Sequence, residues 1–359
     1  MTARPNWSLW WKQVATVIRL EMGKTFFSRR GLWIYALALM PVLIYTGHSF
    51  VETQKRIRFG SAPPLPEAKI QQIREGMVRI DVIELLGTPV QTQRFRAGRS
   101  GSVEIVRWDF AGGNILDVVL RDDAVRSKNI RKVFCNISED QSIFATVFQL
   151  FFLRLAVFFG CVGIFVNLFR GEMLEKSLHF YLLAPMRREV LLAGKYLSGL
   201  IATAVIFGGS ALLQMVAMVW HWDPLQLNEY LSSGGYADAG AYVGVALLAC
   251  LGYGSVFLLA GLLFKNPIIP AAVILVWEGA NWILPELLKK ISVIHYLQSL
   301  CPLPAGAAPD RNPILALLES TAAPTPAPLA IGGLILVTLG VLFLAATQVR
   351  KLEINYSSD

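Results

Sequence analysis

Apolar residues along this chain gather into long blocks instead of short periodic stripes. Runs of about 20 apolar residues, enough to cross the hydrocarbon core of a bilayer, occupy 31–50, 143–169, 190–220, 240–264, 267–288 and 328–349. The pattern predicts a polytopic α-helical membrane protein with six transmembrane helices. The third run exceeds what a bilayer needs, so it tilts or begins outside the membrane. Between the first two runs, residues 51–142 show short helical stretches, alternation and Gly/Pro turns. That segment reads as a small α+β domain, two helices and a three-stranded sheet, inserted between spans one and two.

Composition agrees: of 359 residues 54% are hydrophobic and 16% charged, against about 25% charged in soluble domains. A secreted, disordered or coiled-coil chain is excluded. The first run is read as a retained helix, since thirty residues precede it and no small-residue cleavage site follows. Basic residues orient the spans. Arg4, Lys12, Arg19, Lys24, Arg29 and Arg30 precede the first span, Arg170, Lys176, Arg187 and Arg188 lie between the second and third, and Arg350 and Lys351 follow the last. The stretch 221–239 has no Lys or Arg. Both termini are therefore expected in the cytoplasm, with 51–142 and 289–327 outside. The domain's fifteen basic and twelve acidic residues do not oppose this, because long domains translocate largely regardless of charge. The net charge of +8 becomes a topology signal and implies no nucleic acid.

Residues 1–30 form a segment of their own. Trp7, Trp11, Val14, Ile18, Met22 and Phe26 recur at helical spacing, with Lys12, Thr16, Arg19 and Gly23 on another face. This predicts a cytoplasmic interfacial amphipathic helix in contact with membrane lipids, serving as an anchor or as a lever joining a partner to the first span. Gly23-Lys24-Thr25 is no phosphate loop, because Ile18 stands where the first glycine of GxxxxGK[ST] belongs.

The loop 170–189 breaks at Ala184-Pro185 into two short helical pieces. Glu172 and Glu175 lie one turn apart, and Leu174, Leu178 and Leu182 follow at i, i+4, i+8. Such a loop is either a solvated connection or a docking element. Within the spans, Arg154 and Glu278 are the clearest ionisable residues, with Asn281 at i+3 from Glu278. They read as a packing pair or as pathway lining. Glycines in the fourth run favour close helix packing. No metal site is expected, since His48, His179, His221 and His295 share no ligand spacing, and no catalytic triad can be assembled. Leu231-Ser232-Ser233-Gly234-Gly235 reads as an ordinary glycine-rich turn.

The order of amphipathic helix, span, span and then RGE-x-x-E-K-S-L-x-x-Y-L-L-A-P-x-R-R, ending in Lys195, resembles the permease subunit of type-2 ABC exporters. Trp277-Glu278, Leu284-Pro285, His295-Tyr296-Leu297 and Leu300 resemble that family's fifth span and re-entrant region. The resemblance implies that Glu172, Glu175, Leu178, Leu182, Pro185 and Arg188 contact a separate ABC ATPase subunit. ATP and Mg would be bound there and by no residue of this chain. It also implies a second permease copy, as homodimer or heterodimer, and no enzymatic activity of its own. The competing expectation is a membrane-anchored envelope scaffold without transport. An ion-coupled transporter ranks last, for want of a repeat.

In 51–142, Ile73-x-x-Gly76-Met77-x-x-x-x-Val82-x-x-Leu85-Leu86-Gly87-Thr88-Pro89 resembles the SmpA/OmlA (BamE-like) module of bacterial envelopes. This implies the bacterial cytoplasmic (inner) membrane and a structural role for Gly76, Met77, Val82, Leu86, Gly87 and Pro89. The domain would serve as docking module for a periplasmic envelope partner or as a cap on the spans. Arg94, Arg96 and Arg99 are read as a solvated strand edge. Cys135 and Cys301, both expected on the outer side, are the one pair to weigh for a disulfide.

Overall fold

The computed structural model describes residues 7–27, 31–96, 102–134, 137–281, 283–302 and 325–351. It comprises two compact units, Met1–Thr46 with Asp140–Asp359, and Gly47–Glu139. In chain order the elements are helices α1 (Trp7–Phe27), α2 (Leu32–Gly60), α3 (Glu67–Gln72) and α4 (Arg79–Leu86). Strands β1 (Gln91–Arg96), β2 (Ser102–Phe110), β3 (Asn114–Arg121) and β4 (Ala124–Lys132) come next. The remaining helices are α5 (Ile137–Phe165), α6 (Asn167–Leu174), α7 (Leu178–Leu183), α8 (Arg188–Val219) and α9 (Pro224–Leu263), then α10 (Ile268–Gly279), α11 (Glu286–Lys289), α12 (Val293–Leu300) and α13 (Ala327–Arg350).

Among the described residues, five helices are long and apolar enough to cross a membrane: α2, α5, α8, α9 and α13. Continuous helix is the expected backbone solution for such sequences, because it satisfies every N–H and C=O internally. The fourth apolar run begins earlier than its hydropathy suggests, the stretch 224–235 being helical as well. The fifth run departs most. In place of a span over 267–288 stands the twelve-residue α10, about 18 Å long at 1.5 Å per residue, against a core of about 30 Å. It ends at Gly279, and Pro285 follows before α11. Three of the fourth-run glycines do bring helices together. A Cβ at Gly252 would meet Val293, one at Gly254 would meet Phe165, and one at Gly261 would meet the Val166 backbone, whereas Gly240 and Gly244 face open space.

The second unit holds four strands, not three, in a simple antiparallel order β1-β2-β3-β4. The strand that hydropathy overlooks is β1, Gln-Thr-Gln-Arg-Phe-Arg, a polar edge strand with no apolar alternation. Arg94 lies on it, 3.3 Å from Glu104 of the paired strand; Arg99 falls outside the described residues. The last strand also starts six residues earlier than expected, from a two-residue hairpin in which Asp122 and Asp123 both have positive φ. Ile70, Ile73, Val82, Val106, Trp108, Phe110, Leu116, Val118, Leu120 and Val125 form one core.

The signature residues sit where such a core needs them. Gly76 has φ +88° and donates its N–H to Val125 O at 2.8 Å, while Met77 O accepts from Val125 N. Val82 is buried, and Met77 and Leu86 pack beside it. Gly87, also at φ +88°, ends α4 and accepts a 2.9 Å hydrogen bond from Trp108 Nε1. Pro89 lies in the turn into β1.

Candidate functional site

Three segments far apart in sequence converge on one buried cation. Lys195, in the second turn of α8, is fully buried. Its Nζ donates to Glu21 Oε1 at 2.7 Å and to Leu168 O at 2.8 Å, and lies 2.7 Å from Glu172 Oε2. Lys24, one turn along α1, donates to Glu172 Oε1 at 3.0 Å and to the Tyr181 hydroxyl at 3.3 Å. Tyr181 OH in turn donates to Glu21 Oε1 at 3.1 Å, and its ring lies 4.7 Å from the Lys195 ammonium. Two carboxylates, two ammonium groups and a phenol thus knit α1, α6, α7 and α8.

Burial decides how these groups titrate. It pushes the Glu21 carboxyl up from its ordinary value against the pull of Lys195. Glu172 feels the same burial, but Lys195 beside it and the hydrogen bonds from Lys195 and Lys24 outweigh it and hold its carboxyl down. Burial works against the charge on Lys24 too, yet Glu172 and Glu21 raise it above the usual ammonium value. The Tyr181 phenol is pushed up to about 12 by burial and by the two carboxylates. The charges at Lys195 and Glu172 are each other's condition for being buried.

Backbone packing supports the same joint. Gly194 lies against α1 so closely that an added Cβ would stand 2.8 Å from Val17 Cβ. Val14, Val17 and Glu21 are the inward positions of α1, while Trp7 and Trp11 are exposed and Ile18 and Met22 half-buried. The packed face is therefore offset from the apolar stripe read from the sequence and shares Val14 with it. Gln13 Nε2 donates to Pro185 O, and the Arg187 guanidinium lies 4.8 Å from the centre of the Trp10 ring.

The residues expected at the partner contact separate into two groups. Glu172 and Leu178 turn inward and are buried, whereas Glu175 and Pro185 are exposed. Leu182 lies in α7, its side chain outside the described set. Arg188 Nη1 donates to Val349 O and Arg350 O, closing the C-terminal end of α13, while Arg350 Nε reaches Glu189 at 2.6 Å. The outward apolar residues of this loop are instead Leu174, Phe180 and Leu183, at 68%, 68% and 79% exposure. The i, i+4, i+8 leucine stripe fails because Lys176, at φ +55°, ends the first helix before α7 begins.

Glu278, Asn281 and Arg154 are not joined as a charged pair. Glu278 accepts from Ser292 Oγ at 2.8 Å, Val293 N at 3.1 Å, Ile294 N at 2.9 Å and Tyr253 OH at 3.4 Å. It caps the N-terminus of α12, a position where a carboxylate satisfies orphan N–H groups. Arg154 Nε and Asn281 Oδ1 are buried without a hydrogen-bond partner. A second tie that sequence reasoning missed is Asp140, whose Oδ2 accepts from Trp222 Nε1 at 2.8 Å and lies 3.0 Å from His221 Nε2. Cys301 is a buried free thiol; Cys135, its prospective partner, lies outside the described residues.

Glu21, Lys24 and Tyr181 were also missed. One signal was available: Glu21 is the sole acid of α1 and falls seven residues after Val14, on the stripe that is buried. No protein-family model and no curated protein matches this chain.

Proposed function

We propose that this chain is the membrane-spanning permease subunit of an ATP-driven exporter of the type-2 ABC class, with ATP and Mg bound by a separate ATPase subunit. The observation that carries the reading is the loop between α5 and α8. Its short helices expose Leu174, Phe180 and Leu183, while Glu172 at their base is locked to Lys195 and Glu21. An apolar surface on a connecting loop suits a protein partner. A push on that surface is delivered through the ion network to α1 and α8 together. In this reading both termini and the loop lie in the bacterial cytoplasm, and Gly47–Glu139 lies outside as a BamE-like module. The fifth of six crossings is made in two pieces, by α10 and α12. A second copy of the chain completes the pathway.

The test is assembly of the tagged full-length chain with its ATPase subunit, read as ATPase retained and ATP hydrolysed per permease. Replacing Phe180 and Leu183 together by serine is expected to lower retention at least tenfold while thermal unfolding is unchanged. Full retention in that variant ends the coupling assignment. The scaffold reading draws on the separate core of Gly47–Glu139. Deleting 64–135 distinguishes the two: loss of all function with ATPase coupling intact favours the scaffold.

A further inference from the structure

The glycine-rich segment 231–235 is more than a turn. It is the kink between the first and main parts of α9, and within it Gly234 adopts φ +129°. That conformation disfavours any side chain, and a Cβ on the neighbouring Gly235 would stand 2.5 Å from Tyr230 Cε1. Two adjacent positions are thus restricted to glycine.

Beside the kink lies a cavity of about 300 Å³ within the larger unit, the size of a small ligand pocket. Phe144, Tyr230 and Tyr242 supply aromatic walls, Met215 and Met218 line it with thioethers, and Asp238 contributes a carboxylate. The five aromatic and methionine side chains are all buried. The Tyr230 hydroxyl donates to Asp238 Oδ2 at 3.3 Å, and the Tyr242 hydroxyl to Pro302 O at 3.1 Å, so both rings are held in place. Among the described residues no Lys, Arg or His lines the cavity. Nor is there any Lys or Arg in the whole stretch 221–239.

A carboxylate with no cation beside it among the described residues, set among aromatic rings and polarizable sulfur, is an environment for a cation. A bare divalent metal would need six or more oxygen ligands, and the wall offers one carboxylate. A primary ammonium would need several acceptors, and Asp238 already serves Tyr230. A cation that carries its own methyl groups needs neither. We propose that this cavity binds a small organic cation of the quaternary-ammonium class, with Asp238 as counter-ion and Tyr230 and Tyr242 as the aromatic walls.

The experiment is equilibrium dialysis of radiolabelled choline against the full-length chain in micelles of an uncharged polyoxyethylene detergent. Competition by 3,3-dimethylbutan-1-ol, the neutral isostere of choline, separates charge from shape. Expected are saturable binding at one site per chain, at least tenfold weaker competition by the alcohol than by unlabelled choline, and at least tenfold weaker choline binding in Asp238→Asn and in Tyr242→Leu. The proposal is overturned if choline does not bind saturably, if the alcohol competes as well as choline, or if a folded Asp238→Asn chain binds normally. Should Asp238→Asn fail to fold, the choline-to-alcohol ratio on the native chain decides alone.

Discussion

Lys195 Nζ and Glu21 Oε1 stand 2.7 Å apart though 174 residues separate them along the chain. One belongs to the helix that precedes the first long span, the other to the start of the third. Replacing Lys195 by methionine leaves Glu21 and Glu172 facing a site without its central cation. Breaking one partner of a buried pair costs about 3–5 kcal/mol, so a fall of that size in unfolding free energy is expected, measured by denaturant unfolding in micelles. A loss under about 1 kcal/mol would mean that the network contributes no more than exposed pairs do.

Glu172 and Glu175 are one turn apart and are expected to behave differently. Glu172→Gln weakens a buried ion pair and should lower the thermal midpoint. Glu175→Gln, on an exposed side chain, should leave it within error. Equal shifts in the two variants would contradict the burial difference.

Acid should loosen the joint between α1 and α6. Because Glu172 titrates below its ordinary value of 4.5, its contribution is complete above that value and disappears as pH falls through its depressed range. For the part of Glu172, hydrogen exchange of α1 amides, after correction for intrinsic rates, should rise below about 4.5, whereas protonation of Glu21, whose carboxyl burial pushes up, acts in the opposite sense and at higher pH. A rise already complete at pH 6 would point to another group.

Gly194→Val places two methyl groups where Val17 lies. The expected result is release of α1 from α8, seen as faster proteolysis within residues 7–27 while the long helices remain protected. Unchanged cleavage would show that α1 is held mainly by the ion network.

In the smaller unit, Gly87→Ala forces a side chain into φ +88° at the end of α4. The cost is about 1–3 kcal/mol, to be read as accelerated exchange of the amides in α4 and in the core of β2 and β3. No change there would remove the argument that this glycine is required by its backbone.

The long apolar helices were legible because hydropathy blocks need no tertiary information. The break in the fifth was hidden by Ile283, Leu284, Leu287 and Leu288, which keep the run apolar across it; Gly279 and Pro285 were its visible traces. Strand β1 was hidden for the opposite reason, since its pairing energy is backbone and ionic and leaves no apolar alternation. Two short helices lie between α5 and α8, and which of their residues face outward depended on one positive φ at Lys176. The ion network could not be read, because proximity of residues 21, 172 and 195 exists only once α1 packs on α8.

The Glu278 cap has a consequence for movement. A straight helix through the fifth apolar run would respond to force as a single rod. Here α10, α11 and α12 are three short pieces, and one carboxylate at the end of the first fastens the start of the last through Ser292, Val293 and Ile294. If those contacts yield, the start of α12 is freed from the end of α10 and stays held by the apolar packing of Val293, Ile294 and Leu297.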